Sequence, residues 1–133
     1  MTQGIQRILI VDDEPSLLKM MGAYLSRLGY SVTTADTTET AWAVVEKAPE
    51  ELAAAVLDAS MAGMAMHDLA ARMLNANAAM HVLVASGYPI DTTSLEAMAP
   101  GRVAFLQKPF TPTLLTRKVQ DLFEEDKKGM GRN

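Results

Sequence analysis

The 133 residues of the chain suffice for one domain built around one core, since domains commonly hold about 100–150 residues. A composition of 49% hydrophobic and 21% charged residues excludes extended disorder, and a net charge of −4 lacks the basic surplus that direct binding to nucleic acid requires. The absence of cysteine excludes disulfides, thiolate metal sites and cysteine nucleophiles; together with no leader-like N-terminus and no apolar run approaching the ~20 residues of a membrane span, it leads us to expect a cytoplasmic protein with no membrane segment.

Arg7 opens a short apolar run through Val11 that stops abruptly at Asp12 and Asp13, as a strand buried on both faces would. Pro15 suits a first helical turn, Leu17, Met21, Leu25 and Leu28 recur at helical spacing, and Gly29 supplies the stop. Ser31 to Ala35 is β-branched enough for a second strand, after which Asp36 or Thr37 can cap a helix bearing Ala41, Val44 and Val45 that ends at Pro49. Leu52 to Leu57 gives a third strand closing on Asp58, and Leu69, Met73 and Leu74 mark a helix that fades at Asn75-Ala76-Asn77. His81 to Ala85 closes on Ser86-Gly87, and a weaker helix covers about Thr93 to Ala99. Val103 to Leu106 is the fifth strand, and Thr111-Pro112 opens a last helix with Leu115, Val119, Leu122 and Phe123 on one face. From residue 126 to 133 the chain turns charged and Gly-containing, which predicts a flexible tail after a domain spanning residues 5–125.

Strands alternating with helices predict an α/β fold, a doubly wound five-stranded parallel sheet with right-handed crossovers, whose site lies beyond the C-terminal strand ends. The polar residues that interrupt the apolar pattern fall at those ends: Asp12 and Asp13 after the first strand, Asp58 after the third, Ser86 after the fourth, Lys108 after the fifth. Clustered carboxylates repel one another unless a cation sits among them. An all-oxygen donor set without Cys or neighbouring His suits a hard ion, Mg²⁺ above all, which typically combines one or two carboxylates with phosphate oxygens. Lys108 and the Ser86 hydroxyl are both suited to phosphoryl oxygens.

Each residue also has a plainer reading when taken alone: Asp12 or Asp13 as a helix cap, Asp58 as a turn residue, Ser86-Gly87 as a turn, Lys108 as a solvated loop charge. None of these explains the group. The histidines, His67 and His81, fall outside it and suit surface or packing roles, as does Trp42 on the second helix.

The segments Ile8-Leu-Ile-Val-Asp12-Asp13-Glu14-Pro15, Val56-Leu-Asp58, Val84-Ala-Ser86-Gly87 and Phe105-Leu-Gln-Lys108-Pro109-Phe110, in this order and each at a strand end, resemble the receiver domain of bacterial two-component response regulators. The resemblance implies the flavodoxin-like (βα)5 receiver fold and a phosphoprotein that is not an enzyme beyond its own phosphorylation and dephosphorylation. It makes Asp58 the phosphoacceptor for a sensor histidine kinase or a histidine phosphotransfer domain. It assigns Mg²⁺ to Asp13, Asp58 and the Ser60 carbonyl, with Asp12 acting through water. It pairs Lys108 with Asp58 across a cis Lys108-Pro109 bond, and gives switch roles to Ser86 and Phe105. Two positions depart from the family's habit: Ala62 stands where Pro is usual and Met66 where Gly is usual, which predicts a less restrained loop after the acceptor.

Three other readings compete. An aspartate-nucleophile phosphatase would carry a second Asp at the position of Glu14. A flavodoxin-like nucleotide binder would have a Gly-rich loop where the acidic run lies. A degenerate receiver that serves only for docking is favoured by Ala62 and Met66 but opposed by the intact acidic cluster. Tyr88, two residues after Ser86, is expected at the mouth of the pocket, where its ring would slow attack of water on the phosphorylated aspartate. Val103 and Ala104 replace the acidic pair that many DNA-binding regulators use in dimers, and only a short segment follows residue 125. Both features, with the similarity of Gly101 to Thr111 to the receivers of hybrid sensor kinases, lead us to expect a monomer working in a phosphorelay.

Overall fold

The computed structural model describes residues 5–61 and 65–131, with side chains as far as Glu124. The order is β1 (Arg7–Val11), α1 (Pro15–Arg27), β2 (Ser31–Ala35), α2 (Thr38–Lys47), a 3-10 turn (Pro49–Glu51), β3 (Leu52–Asp58), α3 (Met66–Ala76), β4 (His81–Ser86), α4 (Thr93–Met98), β5 (Val103–Gln107) and α5 (Pro112–Gly131). All the strands are parallel, in the order β2-β1-β3-β4-β5. The doubly wound α/β sheet expected from the strand and helix alternation is the one observed.

The strands alternate sides residue by residue, and both sides are apolar, which is why they read as unbroken hydrophobic runs. Ile8, Ile10, Ala54, Val56, Leu83 and Ala85 face Met21 and Leu25 of α1 and Leu115, Val119 and Leu122 of α5. Leu9, Val11, Ala55, Leu57, Val82 and Val84 face the other way, onto Ala41 and Val45 of α2, Leu69, Ala70 and Met73 of α3, and Leu95 of α4. Thr37 caps α2, its hydroxyl accepting from the Thr40 N–H at 3.0 Å. Gly29 takes a positive φ of 97° where α1 turns into β2, a conformation that glycine adopts without a Cβ penalty.

Three local features differ from the expectations. The turn Pro49–Glu51 fills the space between α2 and β3 where only a stop was read. Helix α5 runs on to Gly131, past the boundary expected at residue 125. Met66, expected to loosen the loop after Asp58, is the first residue of α3 and is buried in the core, and no non-glycine residue among those described has positive φ. Ala62, the other departure, lies outside the described residues. Among the described residues no helix is long and apolar enough to cross a membrane.

The end of the sheet opposite the acidic residues is tied by polar groups. The Arg102 guanidinium donates to the carbonyls of Asn77 and Met80 at 2.9 and 3.0 Å and to that of Leu74 at 3.4 Å, and the Asn77 amide donates to the carbonyls of Pro49 and Leu52, each at 2.9 Å. The bonds to Leu74 and Asn77 satisfy carbonyls at the C-terminal end of α3 that the helix itself cannot, and the others tie in the carbonyls of Pro49, Leu52 and Met80. Arg102→Met, which keeps the aliphatic stem and removes the donors, is expected to lower unfolding stability by about 2 kcal/mol in urea titration with an unchanged m value.

Candidate functional site

The strand order brings the acidic residues together. The chain leaves β1 for β2 on one side and returns to β3 on the other, so the C-terminal ends of β1 and β3 meet at the switch point of the sheet. Asp12 follows β1 directly, its N–H bonded to the Ala35 carbonyl at 3.1 Å, and Asp58 is the last residue of β3. Both are almost wholly buried, at 1% and 4% exposure, whereas Asp13 is exposed. One carboxylate oxygen from each of Asp12, Asp13 and Asp58 lies within 4.8 Å of the others, a hard-ligand cluster of the kind that suits an oxygen-seeking divalent cation.

Lys108 completes the charge pattern from the far side of β4. It follows β5, its N–H donates to the Ser86 carbonyl at 2.8 Å, and its ammonium lies 3.0 Å from Asp12 Oδ2 and 3.3 Å from Asp58 Oδ1. Partial burial by itself would lower the Lys108 pKa. Hydrogen bonds and Coulombic attraction to Asp12 and Asp58 outweigh that and hold it above its ordinary value, so Lys108 is a fixed cation. The Lys108-Pro109 peptide is cis, as expected.

Ser86, the last residue of β4, is buried, and its Oγ accepts from the Tyr88 N–H at 3.1 Å. Phe105 sits half-buried in the middle of β5, in register with Val84. A cleft of about 650 Å³ opens above, lined by Glu14, Leu17, Ser60, Gly87, Tyr88, Lys108, Pro109 and Phe110. Tyr88 is 73% exposed on its rim, the position expected from the sequence.

The structure therefore gathers Asp12, Asp13, Asp58, Ser86 and Lys108 at one end of the sheet. Two contacts were not foreseen. Lys108 lies nearer to Asp12 than to Asp58, and Ser60, expected to contribute only its backbone carbonyl, donates its side-chain hydroxyl to Asp58 Oδ1 at 3.0 Å. Both depend on side-chain reach across loops, which strand periodicity does not report; the only sequence signal was the polar character of Ser60. His67 and His81 stay apart from the cluster, His67 bonded to the Ser94 hydroxyl at 2.7 Å and His81 packed edge-on to Phe123, while Trp42 lies under the Arg72 guanidinium.

Residues 8–120 match the family described as the response regulator receiver domain. Relatives include the response regulator GtcR of Aneurinibacillus migulanus, 28% identical over 113 residues that cover 85% of this chain and 46% of the relative. Another is the alginate biosynthesis transcriptional regulatory protein AlgB of Pseudomonas aeruginosa, 32% identical over 109 residues that cover 82% of this chain and 24% of the relative. The chain thus spans less than half the length of either. Among solved structures, a CheY-like receiver domain protein from Methanospirillum hungatei is 28% identical with a TM-score of 0.80, covering 94% of this chain and 99% of that one. The receiver domain of the hybrid histidine kinase CckA is 25% identical with a TM-score of 0.74, covering 87% of this chain and 97% of that one.

The carboxylate cluster and Lys108 make opposite predictions for cation binding. Asp13→Asn removes one of the three clustered carboxylates and is expected to weaken Mg²⁺ binding about tenfold, whereas Lys108→Met removes a competing positive charge and is expected to tighten it several-fold. Isothermal titration of both variants with Mg²⁺ measures each change, and a shift of the two in the same direction would contradict the electrostatic account.

Proposed function

Because the chain belongs to the response regulator receiver family and acts in two-component signalling, we propose that Asp58 is its phosphoacceptor and that the donor is a phosphohistidine on a sensor kinase or a phosphotransfer domain. The observation that carries this reading is the Lys108 ammonium, held between Asp12 and Asp58 beside a third carboxylate. A lone acidic cluster could be a surface feature. An acidic cluster with a fixed cation at the same spot is suited to receive a group that brings its own negative charge.

In the reaction, a carboxylate oxygen of Asp58 forms a bond to phosphorus in line with the P–N bond of the donor, which breaks as its electron pair returns to the imidazole. Lys108 neutralises charge on the phosphoryl oxygens. Ser86 is an acceptor toward Tyr88 and so keeps its own proton to donate to a phosphoryl oxygen. The residues suited to Mg²⁺ are Asp13, Asp58 and the Ser60 carbonyl, with Asp12 through water; the ion supplies positive charge that offsets the carboxylates and the incoming phosphate.

The phosphoryl group adds about −1.5 to −2 charges to a confined site. Movement of Ser86 toward it would pull on β4 and free space beside Phe105, the half-buried ring of the neighbouring strand. We read residues 5–125 as the signalling unit, cytoplasmic, with no chemistry beyond its own phosphorylation and dephosphorylation. The partner docks over the cleft beside α1, where Leu17 and Phe110 offer apolar contact next to the acceptor. The place of Val103 and Ala104 on β5, without an acidic pair, supports a monomer that exchanges phosphate with such a partner.

Acetyl phosphate with Mg²⁺ is expected to add one phosphoryl group to Asp58, read by intact mass and peptide mapping, and to add none to Asp58→Asn. Mapping of the label to Asp12 would favour an aspartate-nucleophile phosphatase instead. In sedimentation the chain is expected to stay monomeric with and without beryllofluoride; a tight dimer formed only on activation would refute the monomer.

A further inference from the structure

Two connections leave the acidic end of the sheet for the same face. One follows Asp58 and leads into α3, and the other follows Ser86 and leads into α4. The two helices share a core there, through Leu69, Ala70 and Met73 of α3 and Leu95 of α4. Their first turns are also joined by a hydrogen bond: Nε2 of His67, the second residue of α3, lies 2.7 Å from Oγ of Ser94, the second residue of α4. The far ends are joined by Arg102, which follows α4 and donates to the carbonyls of Leu74 and Asn77 at the end of α3.

These two ties are unequal. Arg102 is half-buried at the end of the sheet remote from the acids and adds a bond to the Met80 carbonyl, whereas His67 and Ser94 are exposed and share a single bond. Of the six residues of α4 only Leu95 is buried, and Thr92, the residue before the helix, gives it no side-chain cap. The start of α4 therefore has little besides His67 to hold it against α3. A hydrogen bond of this kind is sharply distance-dependent, and from 2.7 Å a displacement of about 1 Å ends it. The helix can tilt at its start while Arg102 keeps its end in place.

We propose that the His67–Ser94 bond is a latch that ties α4 to α3 in the unphosphorylated chain and so opposes phosphorylation. Movement of Ser86 toward a phosphoryl group draws on the segment that joins it to α4, shifts the start of that helix and breaks the bond. The inference rests on Asp58 being the acceptor and deepens that reading by naming the pair of side chains that resists the change. Coupling is reciprocal: what the bond contributes to the resting arrangement is subtracted from the affinity of the site for a phosphoryl group, and loss of the bond returns it. Both side chains lie outside the acidic cluster and its cleft, so they act on the site through the helix.

The test uses the full chain with beryllofluoride and Mg²⁺. Ser94→Ala and His67→Phe are each expected to speed hydrogen exchange of the first-turn amides of α4 about two- to fivefold in the free chain and to leave it unchanged in the beryllofluoride-bound chain. Each is expected to tighten beryllofluoride binding, read by isothermal titration, by a similar factor. Ser94→Thr, which keeps the hydroxyl, is expected to match the parent, and the double variant to gain no more than either single one. Binding unchanged or weakened in both single variants, or gains that add in the double variant, would overturn the latch while leaving the acceptor in place. Failure of acetyl phosphate with Mg²⁺ to label Asp58 in the unaltered chain would overturn both.

Discussion

The reach of Lys108 across β4 to Asp12 and Asp58 is the interaction on which the site depends. Two carboxylates buried this deeply and this close together repel one another with little solvent to screen them. A cation fixed between them offsets that repulsion at the point where β1 and β3 end. Removing the partner of a buried charge costs far more than a surface pair is worth, so the lysine is as much a condition of the acidic site as a participant in its chemistry.

That constraint explains why the fold matters to the function. Lys108 can bridge to Asp12 only because β5, β4, β3 and β1 lie side by side in parallel, with their C-terminal ends aligned. The register places Asp58 opposite Ala85 and Ser86 opposite Gln107, so each functional residue sits at its strand end within a residue of the next. Both faces of the sheet are sealed by helices, which leaves this end as the place where polar groups can gather. The opposite end is closed by Arg102 and Asn77 acting as hydrogen-bond donors to carbonyls, and carries no comparable cluster of carboxylates among the described residues.

Lys108 and the acidic cluster together suit a group that brings its own negative charge, and Glu14, Ser60 and Tyr88 line the cleft that opens above them.

Much of this was legible in the sequence. Alternating apolar runs and amphipathic stretches fixed the parallel sheet, because a strand buried on both faces has no other way to appear, and the acids that stopped those runs marked the strand ends where a site forms. Asp12, Asp13, Asp58, Ser86 and Lys108 were therefore identifiable as one group before any coordinates. What the sequence could not decide were contacts made by side-chain reach and local packing. The closer approach of Lys108 to Asp12, the Ser60 hydroxyl on Asp58, the burial of Met66 at the start of α3 and the continuation of α5 to Gly131 are examples. Periodicity reports which face a residue takes, whereas the choice among partners a few ångströms apart is settled only when every neighbouring strand and loop is in place.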